Sequence, residues 1–161
     1  MEEKVSVIDS RQYIVVKIGN EQYGIDIQYV DNIVRMQRIT RVPKAQPYFN
    51  GVINLRGEII PVMSVRLKFG LEKDVFTNAT RIIIIKLESQ FAIGIIVDEV
   101  KEVVTLDDSN IEKVNHNSKD EKMSYLNGIG KHGDGLISLL NIAGVIIDKE
   151  NWEAITCQKL I

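Results

Sequence analysis

The chain has 161 residues, enough for one compact domain or two small units sharing a core. Hydrophobic residues make up 45% and charged residues 26% of a chain whose net charge is −2, which is globular composition without the positive excess of a nucleic-acid binder. A single cysteine, Cys157, excludes an internal disulfide framework. No apolar run reaches the ~20 residues that cross a bilayer and no signal-peptide block opens the chain, so a cytoplasmic protein is expected.

In chain order, the first element is a hairpin. Tyr13 to Ile18 reads YIVVKI, Gly19-Asn20-Glu21 supplies a turn, and Gln22 to Ile27 reads QYGIDI. β-branched and aromatic residues on both sides of a polar break are a strand–turn–strand signal. A more apolar stretch with Val30, Ile33, Val34 and Met36 follows, and then the extended, proline-punctuated RVPKAQPYF. Asn50-Gly51-Val52 opens a segment that runs through Asn54-Leu55-Arg56-Gly57-Glu58 into an apolar strand holding Pro61. A proline there points to an edge strand or a bulge. Ser64 to Phe69 suits a short helix, and Gly70 to Thr80 reads as a connector.

The pattern then repeats. RIIIIKL (Arg81–Leu87) and FAIGIIV (Phe91–Val97) form a second hairpin, and Val97-Asp98-Glu99-Val100 matches Val30-Asp31-Asn32-Ile33. A polar surface loop is expected over 115–124. Asn127-Gly128-Ile129 opens a counterpart of the Asn50 segment, ending in a short helix over 141–147. The chain thus reads as two repeats of about five strands each, with subdomains over 12–76 and 77–148 and a tail over 149–161. Regularly spaced short strands suggest small all-β barrels.

Chemistry-bearing motifs are sparse. Gly128-Ile129-Gly130-Lys131-His132-Gly133 spells G-x-G-x-x-G, but no helix opens at its end, so a glycine-rich loop between strands is the simpler reading. His116 and His132 have no partner at metal-ligand spacing, so no metal site is expected. Asp98-Glu99 and Asp107-Asp108 are adjacent in sequence, point to opposite faces of a strand, and read as solvated edges rather than an acid–base pair. No nucleophile motif is present.

The site-like feature is the turn at Asn54, Arg56 and Gly57. A glycine at the tip permits positive φ, which would hold Arg56 at a fixed place where its guanidinium can meet carboxylates or carbonyls of a partner. Val30, Ile33 and Val34 carry more apolar surface than one strand face needs. Barrel core and an apolar groove between the two units both account for them.

The phrases YGIDIQYVDNIV and FNGVINLRGEIIPVMSVRLKFG, followed by GIIVDEVKEVVTL and GLISLLNI, resemble those of the CheW chemotaxis coupling family over almost the whole chain. The resemblance implies two five-stranded barrels of the Src-homology-3 type, packed with approximate two-fold symmetry. It implies a non-enzymatic adaptor, without cofactor, that joins the cytoplasmic tip of methyl-accepting chemoreceptors to the regulatory domain of the histidine kinase CheA in membrane-associated arrays. It places receptor contacts at Arg56, Val30, Ile33 and Val34, with Val97 and Val100 as repeat-related candidates and Asn54 and Gly57 supporting the turn. Kinase contacts fall on the second barrel. Asn32 stands where the family often carries an acidic residue. The CheA regulatory domain and the CheV N-terminal part share the implied fold, so a module of either type is the alternative. A small nucleotide-using enzyme built on the 128–133 glycines is the alternative of a different class.

Overall fold

Four consecutive isoleucines, Ile82 to Ile85, are all buried, and their two faces go to two different cores. Ile83 and Ile85 enter a central apolar cluster, whereas Ile82 and Ile84 enter a smaller one with Ile53, Ile60, Val62 and Ile96. The same alternation occurs in the first hairpin. Ile14, Val16 and Ile18 face the central cluster, and Tyr13 and Val15 face a third cluster with Val104, Leu106, Ile137 and Leu139. A strand buried on both faces needs a continuous apolar run rather than an alternating one. That is why YIVVKI and RIIIIK look as they do.

The computed structural model describes residues 10–87, 91–114 and 125–146. Its strands are β1 (Arg11–Ile18), β2 (Glu21–Asp26), β3 (Val30–Arg35), β4 (Phe49–Leu55), β5 (Glu58–Ser64), β6 (Arg81–Lys86), β7 (Ala92–Val97), β8 (Glu99–Leu106), β9 (Ile111–Lys113), β10 (Leu126–His132) and β11 (Gly135–Leu140). Helix α1 (Val65–Lys68) follows β5, and α2 (Ile142–Ile146) follows β11. The fold is all-β, as expected, with two sheets and only short helices. One sheet runs β8-β1-β2-β11-β10-β9 and the other β3-β6-β7-β5-β4. Each sheet has its own small cluster, and the central cluster is built from side chains of both.

The internal repeat is visible in the backbone. In both halves a bulge at the asparagine of the Asn-Gly pair shifts the register, at Phe49/Gly51 and at Leu126/Gly128. In both halves the following strand pairs in parallel with the far strand of the other half's hairpin, β5 with β7 and β11 with β2. Ser64 N–H donates to Tyr48 C=O and Asn141 N–H to Tyr125 C=O, each at 2.7 Å. The Ser64 hydroxyl then accepts from Leu67 N–H at 3.1 Å, and the Asn141 side chain from Gly144 N–H at 3.2 Å. Both are side-chain caps at the start of a short helix.

The sheets do not follow the sequence boundary at residues 76 and 77. The β1–β2 hairpin of the first repeat lies between β8 and β11 of the second, and the β6–β7 hairpin lies between β3 and β5 of the first. The repeat is a property of the sequence, and each sheet is assembled from both halves.

Two local expectations change. Pro61 is buried in β5, an interior strand, rather than at a sheet edge. Its partner Val52 directs both backbone polar groups to Thr40, so the side of Pro61 that lacks an N–H faces β7, just before that ladder begins at Val62. Of the 128–133 glycines only Gly133 lies in a connection between strands. Gly128 and Gly130 lie within β10, where a Cβ would stand 2.8 Å from the Glu112 carbonyl oxygen and 2.6 Å from Leu106 Cδ1. The neighbouring backbone leaves no room for a side chain at Gly128, and one at Gly130 would displace the end of Leu106. The turn that follows, Gly133-Asp134, opens into β11 and not into a helix. The nucleotide reading therefore has no phosphate-binding helix terminus to rest on.

Candidate functional site

Leu55 and Glu58 face each other at the end of the β4–β5 ladder, so Arg56 and Gly57 alone make the connection. A two-residue hairpin whose twist matches its strands needs positive φ at both central residues. Arg56 has φ 54° and Gly57 φ 84°. The Asn54 side-chain oxygen accepts from Gly57 N–H at 2.9 Å and fixes the turn from inside. Arg56 is exposed and makes no ion pair or side-chain hydrogen bond among the described residues. A left-handed conformation costs a non-glycine residue about 1–2 kcal/mol. The turn thus presents an unpaired guanidinium on a backbone held by the ladder behind it.

The apolar candidates divide. A bulge between Val30 and Asn32 shifts the alternation of β3. Val30 packs on the central cluster, and Val34 on the cluster inside its own sheet. Ile33 lies opposite Ile83 and is 37% exposed. Val100 is half-buried against the central cluster. Val97 is fully buried, at 0% exposure, within that cluster and offers no surface to a partner. The repeat-related expectation for Val97 is corrected on that ground. Its repeat partner Val30 sits on an edge strand, whereas Val97 ends β7, which has neighbours on both sides.

The ladders also order these residues along the sheet. Val30, Ile85 and Ile93 form one row, and Arg35, Arg81 and Val97 another at the opposite end. Because Val62 lies beside Gly94 and Ser64 beside Ile96, β5 extends past the Ile93 end before reaching its turn. Arg56 therefore projects beyond the end that carries Val30.

Asp98 is not the solvated edge residue expected from its neighbour Glu99. It receives Arg66 Nε at 3.0 Å, Arg66 Nη2 at 2.6 Å and Gly19 N–H at 2.9 Å. Burial opposes its ionisation, but these hydrogen bonds outweigh burial and hold the carboxyl below its ordinary value. Asp74 behaves in the opposite way. Desolvation is the largest influence and raises its pKa, although the Ser64 hydroxyl donates to Oδ2 at 2.5 Å, and its Oδ1 is buried without a partner among the described residues. Asp107 caps a single 3-10 turn through Ser109 N–H. Asp98, Asp74 and Asp107 thus hold parts of the fold together. His132 lies exposed in β10, whereas His116 and Cys157 fall outside the described residues, as do the expected polar loop over 115–124 and the tail over 149–161. Among the described residues no group of His, Cys, Asp and Glu could hold a metal ion, and no helix is long and apolar enough to cross a membrane.

Residues 12–150 match the family described as CheW-like domain. The chain belongs to the CheW-like family. Its relatives include the chemotaxis protein CheW of Bacillus subtilis, 35% identical over 141 residues that cover 88% of this chain and 89% of that protein. The chemotaxis protein CheW of Helicobacter pylori is 35% identical over 136 residues, covering 84% and 81%. In structure the chain is similar to a scaffolding protein, the CheW of Thermoanaerobacter tengcongensis. That crystal structure matches with a TM-score of 0.77 at 32% identity, over 87% of this chain and 94% of that one. The sequence resemblance and the all-β fold are thereby borne out, and the function of this CheW-like chain is that of a chemotaxis adaptor. Neither the 128–133 glycines nor any excised-module reading is favoured by these relatives.

Proposed function

We propose that this adaptor joins the cytoplasmic tip of methyl-accepting chemoreceptors to the regulatory domain of the histidine kinase CheA, that it does so without catalysis, and that it is recruited from the cytoplasm to receptor arrays. The observation that carries the receptor half is the Arg56 turn: an exposed guanidinium with no partner among the described residues, on a strained backbone fixed by Asn54 and the β4–β5 ladder. A fixed arginine loses little freedom on forming a charged hydrogen bond, which suits it to orient a helical partner. Ile33, with Val30 behind it on the same side of β3, supplies apolar contact, and Val100 supplies it on the repeat-related strand. Val34 faces the sheet interior and supports β3 from behind.

The kinase half falls on the second repeat's hairpin. Leu136, 62% exposed two residues past the Gly133-Asp134 turn, is the apolar side chain there that a docking partner would cover. Signal transfer through such an adaptor is a shift among assembled states.

The test is a binding titration of the intact chain against a chemoreceptor cytoplasmic fragment and, separately, a CheA regulatory domain. Arg56→Ala should weaken the receptor fragment and spare the kinase domain, and Leu136→Asp should do the reverse. Failure of the intact chain to bind either partner would refute the adaptor's proposed connections.

A further inference from the structure

The 26 residues from Asn32 to Gly57 carry five basic side chains, Arg35, Arg38, Arg41, Lys44 and Arg56, and no aspartate or glutamate. The remainder of the chain holds 15 basic against 22 acidic residues. An acidic protein thus concentrates unopposed positive charge in one stretch. All five side chains are exposed. None makes an ion pair or side-chain hydrogen bond among the described residues.

The backbone gathers three of them along one edge. Thr40 N–H donates to Val52 C=O and Val52 N–H to Thr40 C=O, each at 2.8 Å. This pairing lays the segment around Thr40 antiparallel to β4, on its outer side. Arg38 and Arg41 flank the pair. The segment runs back from Thr40 through Arg38 in the direction of Arg56, which lies four residues beyond Val52, roughly 13 Å along a strand. Met36, Ile39 and Leu55 pack inward on the sheet's own cluster. The outward face of this edge is therefore charge.

The equivalent edge of the second repeat has the opposite sign. There β9 pairs with β10, and Glu112 faces Ile129 where Thr40 faces Val52. From Asp107 to Lys113, the turn and strand that form this edge, the chain carries three acidic residues and one basic residue. Two edges of the same design thus differ in charge.

We propose that the outer edge of β4, presenting Arg38, Arg41 and Arg56, docks an acidic segment of a partner protein, and that the acidic β9 edge keeps that segment off the other half. Arginines without internal partners break no ion pair when they meet carboxylates, and their forked geometry favours two parallel bonds to each. Complementary charge sets the encounter rate and rejects the wrong surface. A nucleic acid or an anionic membrane is less well matched. Each spreads dense negative charge over an area wider than this edge, where it meets the acidic remainder of the molecule.

The inference shares Arg56 with the receptor reading and otherwise rests on other residues, so its test leaves Arg56 intact. The probes are a labelled helical peptide with glutamate in every turn and the same peptide with glutamine instead, followed by fluorescence anisotropy at low and high salt. The glutamate peptide binds at low salt, loses affinity at high salt, and loses at least about tenfold on Arg38→Glu/Arg41→Glu. Glu112→Gln leaves its affinity unchanged or tighter. Circular dichroism checks the fold of each variant, and Arg38→Gln/Arg41→Gln provides a milder pair that should lose affinity in the same direction. The proposal is overturned by no binding, by equal binding of the glutamine peptide, by unchanged affinity in both double variants, or by tighter binding of single-stranded RNA or of phosphatidylserine vesicles than of the glutamate peptide.

Discussion

Arg66 of α1 and Asp98 of the β7–β8 connection, 32 residues apart in sequence, form a two-pronged ion pair with Nε–Oδ1 at 3.0 Å and Nη2–Oδ2 at 2.6 Å. Both side chains are less than a quarter exposed. Asp98 also accepts Gly19 N–H, and its own N–H donates to Lys17 C=O. One carboxylate therefore ties the first hairpin, the first short helix and the second hairpin together. Asp98→Asn should lower unfolding free energy by about 2 kcal/mol, the scale of charged hydrogen bonds lost at a partly buried site. Arg66→Met should cost a similar amount. Urea unfolding of both single variants and the double variant gives the coupling, which should exceed about 1 kcal/mol.

Acid should reveal Asp98 separately. Its folded pKa lies below the unfolded value, so its contribution is complete above the ordinary carboxylate pKa and disappears as pH falls through the depressed one. In wild type, stability should decline on the acid side of the ordinary value, and in Asp98→Asn that limb should be shallower. Equal slopes in a pH series of thermal melts would contradict the assignment.

Asp74 gives the opposite sign. Its folded pKa is raised by burial, so its contribution is complete below the ordinary carboxylate pKa and lost as pH rises through the raised one. Asp74→Asn keeps an acceptor for the Ser64 hydroxyl while removing the buried charge. We expect a gain at neutral pH of less than about 1 kcal/mol, because the site is only partly buried and solvent screens the charge. The gain should vanish in acid, where the wild-type carboxyl is protonated.

The Arg56 turn should separate stability from binding. Its left-handed backbone favours asparagine over arginine. Arg56→Asn should raise stability by about 0.5–1 kcal/mol while weakening the receptor fragment. A variant that lost both would mean that the arginine is held by the fold rather than kept for a partner.

Gly51 is the critical point of the β4 edge. It has φ 140°, and a Cβ there would lie 2.1 Å from the Thr40 carbonyl oxygen. Gly51→Ala must displace the segment carrying Arg38 and Arg41, and should cost about 3 kcal/mol or more. Gly133→Ala, with positive φ but open space around it, should cost less. Thermal melts of the two variants provide the comparison.

The strands, the repeat, the two short helices and the tight Arg56 turn were legible because each depends on local chemistry: β-branched runs, Asn-Gly pairs and a glycine at the turn tip. Strand neighbours were not. No pattern within Tyr13–Ile18 says that it will pair with β8, since a doubly buried strand looks the same in any sheet. The burial of Val97 and the opposite faces of Val30 and Val34 follow from sheet order and from one bulge, both set by long-range pairing. Asp98 was misread for the same reason, because its arginine comes from the preceding half of the chain. The acid-free stretch over 32–57 was open to view in the charges alone, but only the Thr40–Val52 pairing turns it into an edge.

The exchange of hairpins between the sheets also constrains how the protein can be made. When the ribosome has released the first half of the chain, β1 and β2 still lack both of their outer neighbours, and β3 and β5 lack the hairpin that joins them. The emerging half must wait, with its doubly apolar strands uncovered, until β11 arrives. An organism could not divide this adaptor into two separately folding pieces by cutting between its repeats, although such a cut is where the sequence invites it.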